Sequence, residues 1–423
     1  MFTKETLDNG LRVITAPMDG VKSATVMIMV GAGARYETWE VNGVAHFAEH
    51  MFFKGTSKRP SALDISTVID GVGGDFNAFT SKEYTGYYVK AASNHTDLSL
   101  DVLSDMLLNS KFDPEEIERE RGVILEEMRM YMDMPTRYIS NVYDSLLFGD
   151  HPLGWDVVGH TESINSISQE SFKNYLKTFY SPQNIVLGIA GDITSEKARG
   201  LGEKYLGSLD TRTDNRFVPY HSKQERPVVK IAYKDTEQAH FALGYRSYPL
   251  GHRNHYISAV LSNILGGTMS SRLFIELRER RGLGYYVRCS TDEYLDSGTI
   301  VVNAGVQKDK ISEAIELTLK EFEKITRESV PEEELAKAKE YLKGKIVLEL
   351  EDSKEVSALY LLQETLEKEI KTPFEIMDHV DLVTADQVQS VAKELFTKQN
   401  LNLAMIGPYK DDNKFQDILE SSQ

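Results

Sequence analysis

The sequence predicts an α+β protein made of two homologous α/β domains, each an antiparallel-rich sheet with helices packed on it. Three observations carry this expectation. At 423 residues the chain exceeds what one typical core accommodates. Short runs rich in Val, Ile and Thr alternate with longer stretches of helical periodicity. The second half also echoes the first. Pro331-Glu332-Glu333 stands 217 positions after Pro114-Glu115-Glu116, and Gln399-Asn400-Leu401 stands 216 after Gln183-Asn184-Ile185. Two matches at nearly one offset mark an internal duplication. The polar stretch from Leu209 to Arg226 separates the copies, so the expected domains are 1–212 and 228–423, joined by a linker at 213–227.

Each element of the first copy follows from local signals. After the hairpin signal Asn9-Gly10, Leu11 to Ala16 and Ser23 to Val30 read as strands. Asn42 as cap and Gly55 as stop bracket a helix. Ser61 to Val72 is helical, and Asp75 to Val89 alternates and is rich in aromatics, the pattern of one strand with a free edge. Helices follow from Thr96 to Leu108 and from Asp113 or Pro114 to Met132, where Asp113 precedes a proline at the first helical position. A further helix from Ser168 to Tyr180 leads into the buried strand Ile185 to Asp192.

Composition narrows the function. A net charge of -17 argues against a nucleic-acid or anionic-membrane surface. The one cysteine, Cys289, excludes an internal disulfide and a thiolate zinc site, and fits a reducing compartment. The N-terminus has no basic stretch followed by an apolar core, and no run of about 18 apolar residues occurs. A mature, cytoplasmic protein is the expectation.

The chemistry centres on His46-Phe47-Ala48-Glu49-His50. On a helix the two histidines lie one turn apart on one face and can converge on one ion. Glu49 lies beside them, where a carboxylate can act as general base toward a metal-activated water. HxxEH is the reversal of the commoner HExxH pattern. The competing reading is two half-buried histidines and a solvated glutamate on an amphipathic helix. Two histidines rarely hold a catalytic zinc alone, so the later helix is expected to supply a third ligand. Glu115, Glu116, Glu118, Glu120, Glu126 and Glu127 compete for it. Ile117, Ile124, Met128 and Tyr131 define that helix's buried stripe. Glu120 and Glu127 flank the stripe, while Glu126 points to the opposite side. Periodicity thus favours Glu127 as ligand and Glu120 as a supporting carboxylate, without excluding a solvated acidic face. Shifted by 216, His46, Glu49, His50 and Glu127 fall on Ser262, Leu265, Gly266 and Lys343, so the second copy lacks the metal site. Its corresponding stretch from Gly266 to Val287 reads as a helix start followed by a basic, glycine-broken turn into a strand.

Four separated motifs carry a resemblance. They are HFAEH with Glu127 placed 77 positions after His50, the Arg-Gly-Val-Ile-Leu context before Glu127, Gly74-Asp-Phe-Asn77-Ala-Phe-Thr80, and Leu277-Arg278-Glu-Arg-Arg-Gly-Leu-Gly-Tyr285. Together they resemble the pitrilysin (insulinase) family of zinc metallopeptidases, in its half-length branch of processing peptidases and their bacterial relatives. The resemblance implies one Zn2+ per chain held by His46, His50 and Glu127, with Glu49 as general base and Glu120 in support. It further implies that Asn77, Ala78, Phe79 and Thr80 lie on a sheet edge that pairs with an extended substrate. Arg278 and Tyr285 are implied to stabilise the scissile carbonyl as charge develops. A two-domain chain would form half of a clamshell chamber, completed in a homodimer, or in a heterodimer with an inactive paralogue, by Arg278 and Tyr285 of the other subunit. The implied activity is hydrolysis of short or unfolded peptides, with no nucleic-acid or membrane partner. The alternative within the same family is a non-catalytic peptide-binding or assembly subunit.

Overall fold

The structure, a computed structural model, describes residues 2–210, 216–367 and 369–421. It is mixed α/β with two sheets, as the composition of local signals predicted. Six strands form the first: β1 (Thr3–Thr6), β2 (Arg12–Pro17), β3 (Ser23–Val30), β4 (Asp75–Thr80), β5 (Thr85–Ala92) and β6 (Ile185–Gly191), in the order β1-β2-β6-β3-β5-β4. The second comprises β7 (Val228–Tyr233), β8 (Gln238–Ser247), β9 (Gly284–Tyr294), β10 (Ser297–Gln307) and β11 (Leu401–Gly407), in the order β7-β11-β8-β10-β9. Setting β1 aside, the two orders are identical strand for strand. The single parallel pair also falls at the same place, β2 with β6 and β7 with β11. This matching topology is the duplication expressed in three dimensions.

The chain divides into two compact units that are not contiguous in sequence. The first contains residues 1–129, 155–218 and 347–372, and the second 130–154, 219–346 and 373–423. Contiguous boundaries at 1–212 and 228–423 therefore need correcting, although the boundary itself and the first linker positions, 213–215, lie outside the described residues. The reason lies in packing. Each sheet is covered on one face by helices of its own half, and on the other by a helix from the opposite half of the chain.

In the first unit, Thr96–Asn109 and Ser195–Leu206 pack on the sheet from one side. On the other side Ser353–Leu362 lies across β6, β3 and β2, burying Val356, Tyr360 and Leu361 against Ile14, Met27, Met29 and Val186. Thr25 and Ser353 share a buried hydroxyl–hydroxyl bond of 2.8 Å, and Lys90 pairs with Asp352 at 2.9 Å. In the second unit, His255–Gly266, Ile311–Arg327 and Ala385–Leu395 cover the sheet from one side. Pro135–Phe148 packs on β11, β7 and β8, with Ile139, Val142 and Tyr143 against Ala242, Val301 and Ile406. Covering both faces explains why β6 and β11 are buried along their whole length, which central strands achieve only when neither face meets water.

One expected element differs. Asp75 to Val89 is not a single strand but the hairpin β4–β5, turning at 81–84. That turn lacks the usual glycine, proline or asparagine. Its interior position holds it instead: Lys82 donates to the Trp155 carbonyl, and Glu83 accepts from buried Arg35 at 2.5 Å. In the second copy, the stretch from Gly266 to Val287 holds the expected helical start and a turn at Gly282, φ +61°, into β9, but the start is a short π-helical one. The helix His255–Gly266 ends at the head of this stretch, and the π-helical turn, Phe274–Glu279, precedes β9.

Candidate active site

The helix Val44–Phe52 carries His46, Glu49 and His50. Its expected cap, Asn42, does not cap it. The residue before the helix is Gly43 at φ +94°, where an added Cβ would come within 2.6 Å of the Val158 carbonyl oxygen. Entering through this left-handed turn, the chain gives its first amides to Glu37. The N–H of Gly43 donates to Glu37 Oε2 at 2.7 Å and that of Ala45 to Oε1 at 2.8 Å, while the Asn42 side chain donates to the same carboxylate at 2.9 Å. A buried carboxylate on the helix N-terminus satisfies donors that would otherwise be orphaned.

The His46 and His50 ring centroids are 4.6 Å apart. From the helix Pro114–Met132, Glu127 places Oε2 3.7 Å from His46 Nε2 and 3.4 Å from His50 Nε2. One ligand atom from each of the three residues lies within 4.8 Å of the others, the one such His, Cys, Asp and Glu group among the described residues. Ligands of a tetrahedral zinc with bonds of 2.0–2.1 Å stand roughly 3.3 Å apart. The separations to Glu127 are close to that edge, and two imidazole nitrogens with one carboxylate oxygen are a zinc donor set, so the residues fit the ion.

Around these three, the environment is charged and half-closed. Glu120, 4 % exposed, accepts from His50 Nδ1 at 2.9 Å and pairs with Lys54 Nζ at 2.5 Å. Burial acts to raise its carboxyl, but the hydrogen bonds from His50 and Lys54 outweigh it and hold the group below the usual range. For His50 burial acts downward, and hydrogen bonds to Glu120 and Glu127 overcome it, lifting the imidazole to about 9. Burial, reinforced by His50, pushes His46 down to about 4, so its ring is neutral with a lone pair to donate. Glu49 is raised, chiefly by burial, and its Oε2 accepts from Thr80 Oγ1 at 2.5 Å. Thr80 ends β4, so the strand bearing Asn77, Ala78, Phe79 and Thr80 runs directly to Glu49. It is the outermost strand of its sheet, paired among the described residues with β5 alone. Asn77 is exposed, and its Oδ1 accepts the N–H of Ala78 at 2.8 Å.

Arg278 and Tyr285 belong to the second unit and come together there. Arg278 sits in the π-helical turn with its guanidinium 4.8 Å from the Phe274 ring centre and 5.6 Å from that of Tyr285, which is 75 % exposed. The second copy offers no ligand set where the first has one: Ser262, Leu265 and Gly266 are buried, and Lys343 pairs with Glu340 and Asp381 at 2.6 and 2.8 Å. Two features escaped the sequence reading. Glu37 gives no capping signal because it acts six residues ahead, around a turn. Lys54, four residues beyond His50, stands just before the expected stop at Gly55 and carries no signal of its own.

A duplicated α/β unit with HxxEH on one helix and a distant glutamate on another has the makings of an inverted-motif metal hydrolase. Comparison with known proteins places it further. The family described as "Insulinase (Peptidase family M16)" matches residues 12–159, and "Peptidase M16 inactive domain" matches residues 166–342. The uncharacterized zinc protease YmxG of Bacillus subtilis is 36% identical over 409 residues, covering 96% of this chain and 98% of that one. An uncharacterized zinc protease of Rickettsia felis is 34% identical over 412 residues, with coverage of 96% and 98%. Among solved structures, a protease from Helicobacter pylori superposes with a TM-score of 0.88 at 24% identity, covering 96% of this chain and 99% of its own. A chain of complex III2 from Candida albicans shares the fold with a TM-score of 0.83 at 17% identity, covering 99% of each. The chain belongs to peptidase family M16, the insulinase family, as a half-length member. No helix among the described residues is long and apolar enough to cross a membrane.

Proposed function

We propose that this chain is a zinc-dependent endopeptidase holding one Zn2+ through His46, His50 and Glu127, and hydrolysing short or unfolded peptides within a dimeric chamber. The convergence of those three side chains on one point carries the reading. The names of the full-length relatives, zinc proteases, support it. When bound, the ion supplies a Lewis acid for the scissile carbonyl and lowers the pKa of a coordinated water. Every other task falls to the chain. Glu49 takes the proton and returns it to the leaving amine. With Oε2 engaged by Thr80, Oε1 is the atom that does so, and burial already brings this carboxyl toward the proton affinity a general base needs. The outer edge of β4 aligns an extended peptide by main-chain pairing. Arg278 and Tyr285, supplied by the other subunit of a homodimer or of a pair with an inactive paralogue, hold the developing oxyanion. A cytoplasmic setting belongs to the same proposal, supported by the single, buried cysteine.

The test compares wild type with Glu49→Gln, measuring zinc by elemental analysis and hydrolysis of a quenched peptide library. About one zinc per chain in both, with the rate in the variant lower by about 10²–10⁴-fold, is expected from loss of a general base. A metal-free wild type that binds peptides without cleaving them would replace this reading with that of a non-catalytic subunit.

A further inference from the structure

The proposed ligands are oriented by groups that do not touch the ion, and the contacts behind His50 continue one residue further than Glu120. Lys54 follows the helix Val44–Phe52 on a short turn, with Phe53 N–H donating to the His50 carbonyl at 3.2 Å and Lys54 N–H to the Met51 carbonyl at 3.0 Å. Next in the chain, Gly55 adopts φ +126°, and a Cβ there would come within 2.4 Å of the Pro60 carbonyl oxygen, so the turn has one available course. The lysine stem is thereby directed back along the helix, one turn beyond His50. Its Nζ reaches Glu120 Oε2 at 2.5 Å, while Glu120 Oε1 faces His50 Nδ1 at 2.9 Å. The two oxygens of one nearly buried carboxylate are thus divided between an ammonium and an imidazole.

We infer that Lys54 is a positioning residue for the metal site, acting through Glu120 on His50. An ammonium on Oε2 fixes the carboxylate's rotation about its terminal torsion, which is otherwise broad. It leaves Oε1 as acceptor for Nδ1–H of His50. That hydrogen bond selects the tautomer whose lone pair is on Nε2, the atom facing Glu127 at 3.4 Å. Without Lys54, Glu120 has an unpartnered oxygen in a site 4 % exposed and is free to turn away from the imidazole.

This rests on the proposed zinc site, and the experiment separates the two. Zinc dissociation constants are measured by competition with a chromophoric chelator for wild type, Lys54→Met, Lys54→Arg, Glu120→Gln and the double variant Lys54→Met/Glu120→Gln. Melting of each metal-stripped protein is followed in parallel. Lys54→Met is expected to weaken zinc binding by about 10–100-fold, the usual effect of removing an outer hydrogen-bonding partner. Lys54→Arg should restore most of it. In the Glu120→Gln background, Lys54→Met should add less than about twofold, because its route to His50 is already cut. Lys54→Met binding zinc as tightly as wild type, or weakening it equally in both backgrounds, overturns the inference while leaving the zinc site standing. A wild type that takes up no zinc overturns both. If Lys54→Met fails to fold, Lys54→Gln replaces it in the same cycle.

Discussion

The two histidines were legible at the residue scale because i and i+4 on any helix share a face. Choosing between Glu120 and Glu127 was harder, since the two are seven apart and project alike. The structure distinguishes them by the imidazole atom each meets: Glu127 approaches Nε2 of both rings, whereas Glu120 lies behind His50 at Nδ1. Side chains acting across a turn, such as Glu37 on the helix N-terminus and Lys54 on Glu120, carry no periodic signal and could not be read in advance. A comparable cluster braces the loop that follows the HFAEH helix. Arg59 reaches Asp101 at 2.5 Å and Asp105 at 2.7 Å, and Lys58 also holds Asp101 at 2.6 Å. Burial works to raise Asp101, but these hydrogen bonds prevail and its carboxyl is lowered. A carboxyl lower in the folded than in the unfolded state adds stability above its unfolded pKa, about 3.9, and loses it as pH falls further. Asp101→Asn should therefore be less stable than wild type at neutral pH and show a shallower loss of stability below about pH 4. Urea midpoints across pH 2–7, roughly the range in which carboxyls titrate, measure both effects.

For the elements, β6 announced itself as an unbroken apolar run, and the long acidic helix by its aspartate and proline start. The hairpin β4–β5 did not, because its turn is stabilised by Arg35 and the Trp155 carbonyl, partners 48 and 73 residues from the glutamate and lysine they meet. Nor did the sequence reveal where Pro135–Phe148 and Ser353–Leu362 would pack. Pro135–Phe148 is amphipathic and Ser353–Leu362 is mostly apolar with no exposed residue, and such a helix specifies that it needs an apolar surface without specifying which. The fit is nonetheless close. Gly188 of β6 lies under Leu361, where an added Cβ would come within 2.0 Å of a leucine methyl. Leu361→Ala, at a side chain with no exposure, is expected to cost about 2–5 kcal/mol through lost burial and the remaining cavity. Gly188→Val should destabilise from the opposite cause, overpacking, by about 1–3 kcal/mol or more. Chemical denaturation of both variants tests whether this helix contributes to the first unit's stability; midpoints unchanged from wild type would remove it from the core.

At the scale of the whole molecule, the duplication was legible from two short echoes, because equivalent elements begin with equivalent signals. Contiguous domain limits were not, because they assume that neighbours in sequence are neighbours in packing. The proposed metal ligands reside in one unit and Arg278 with Tyr285 in the other. The proposed division of labour between subunits predicts complementation. Glu49→Gln and Tyr285→Phe chains, each inactive alone, should regain up to about a quarter of wild-type hydrolysis when unfolded and refolded together in equal amounts. That fraction assumes random pairing into two-fold dimers, with half the dimers mixed and one intact site in each. Mixed dimers isolated by two affinity tags and found inactive would exclude sharing of the site across subunits.

The exchanged helices also give the chain a timetable. All the strands of the first sheet have been synthesised once residue 191 is made, yet the helix that closes its second face ends at Leu362. At 5–20 residues per second, roughly 9–34 s of translation separate the two. Throughout that interval Ile14, Met27, Met29 and Val186 lack the cover they have in the finished protein. The hydroxyl pair that links sheet to helix spans 328 residues of sequence, a long loop to close. The half that carries HFAEH is therefore the first to be made and among the last to be completed, and a nascent chain needs its own C-terminal half, or a chaperone standing in for it, before the unit proposed to hold the metal is whole.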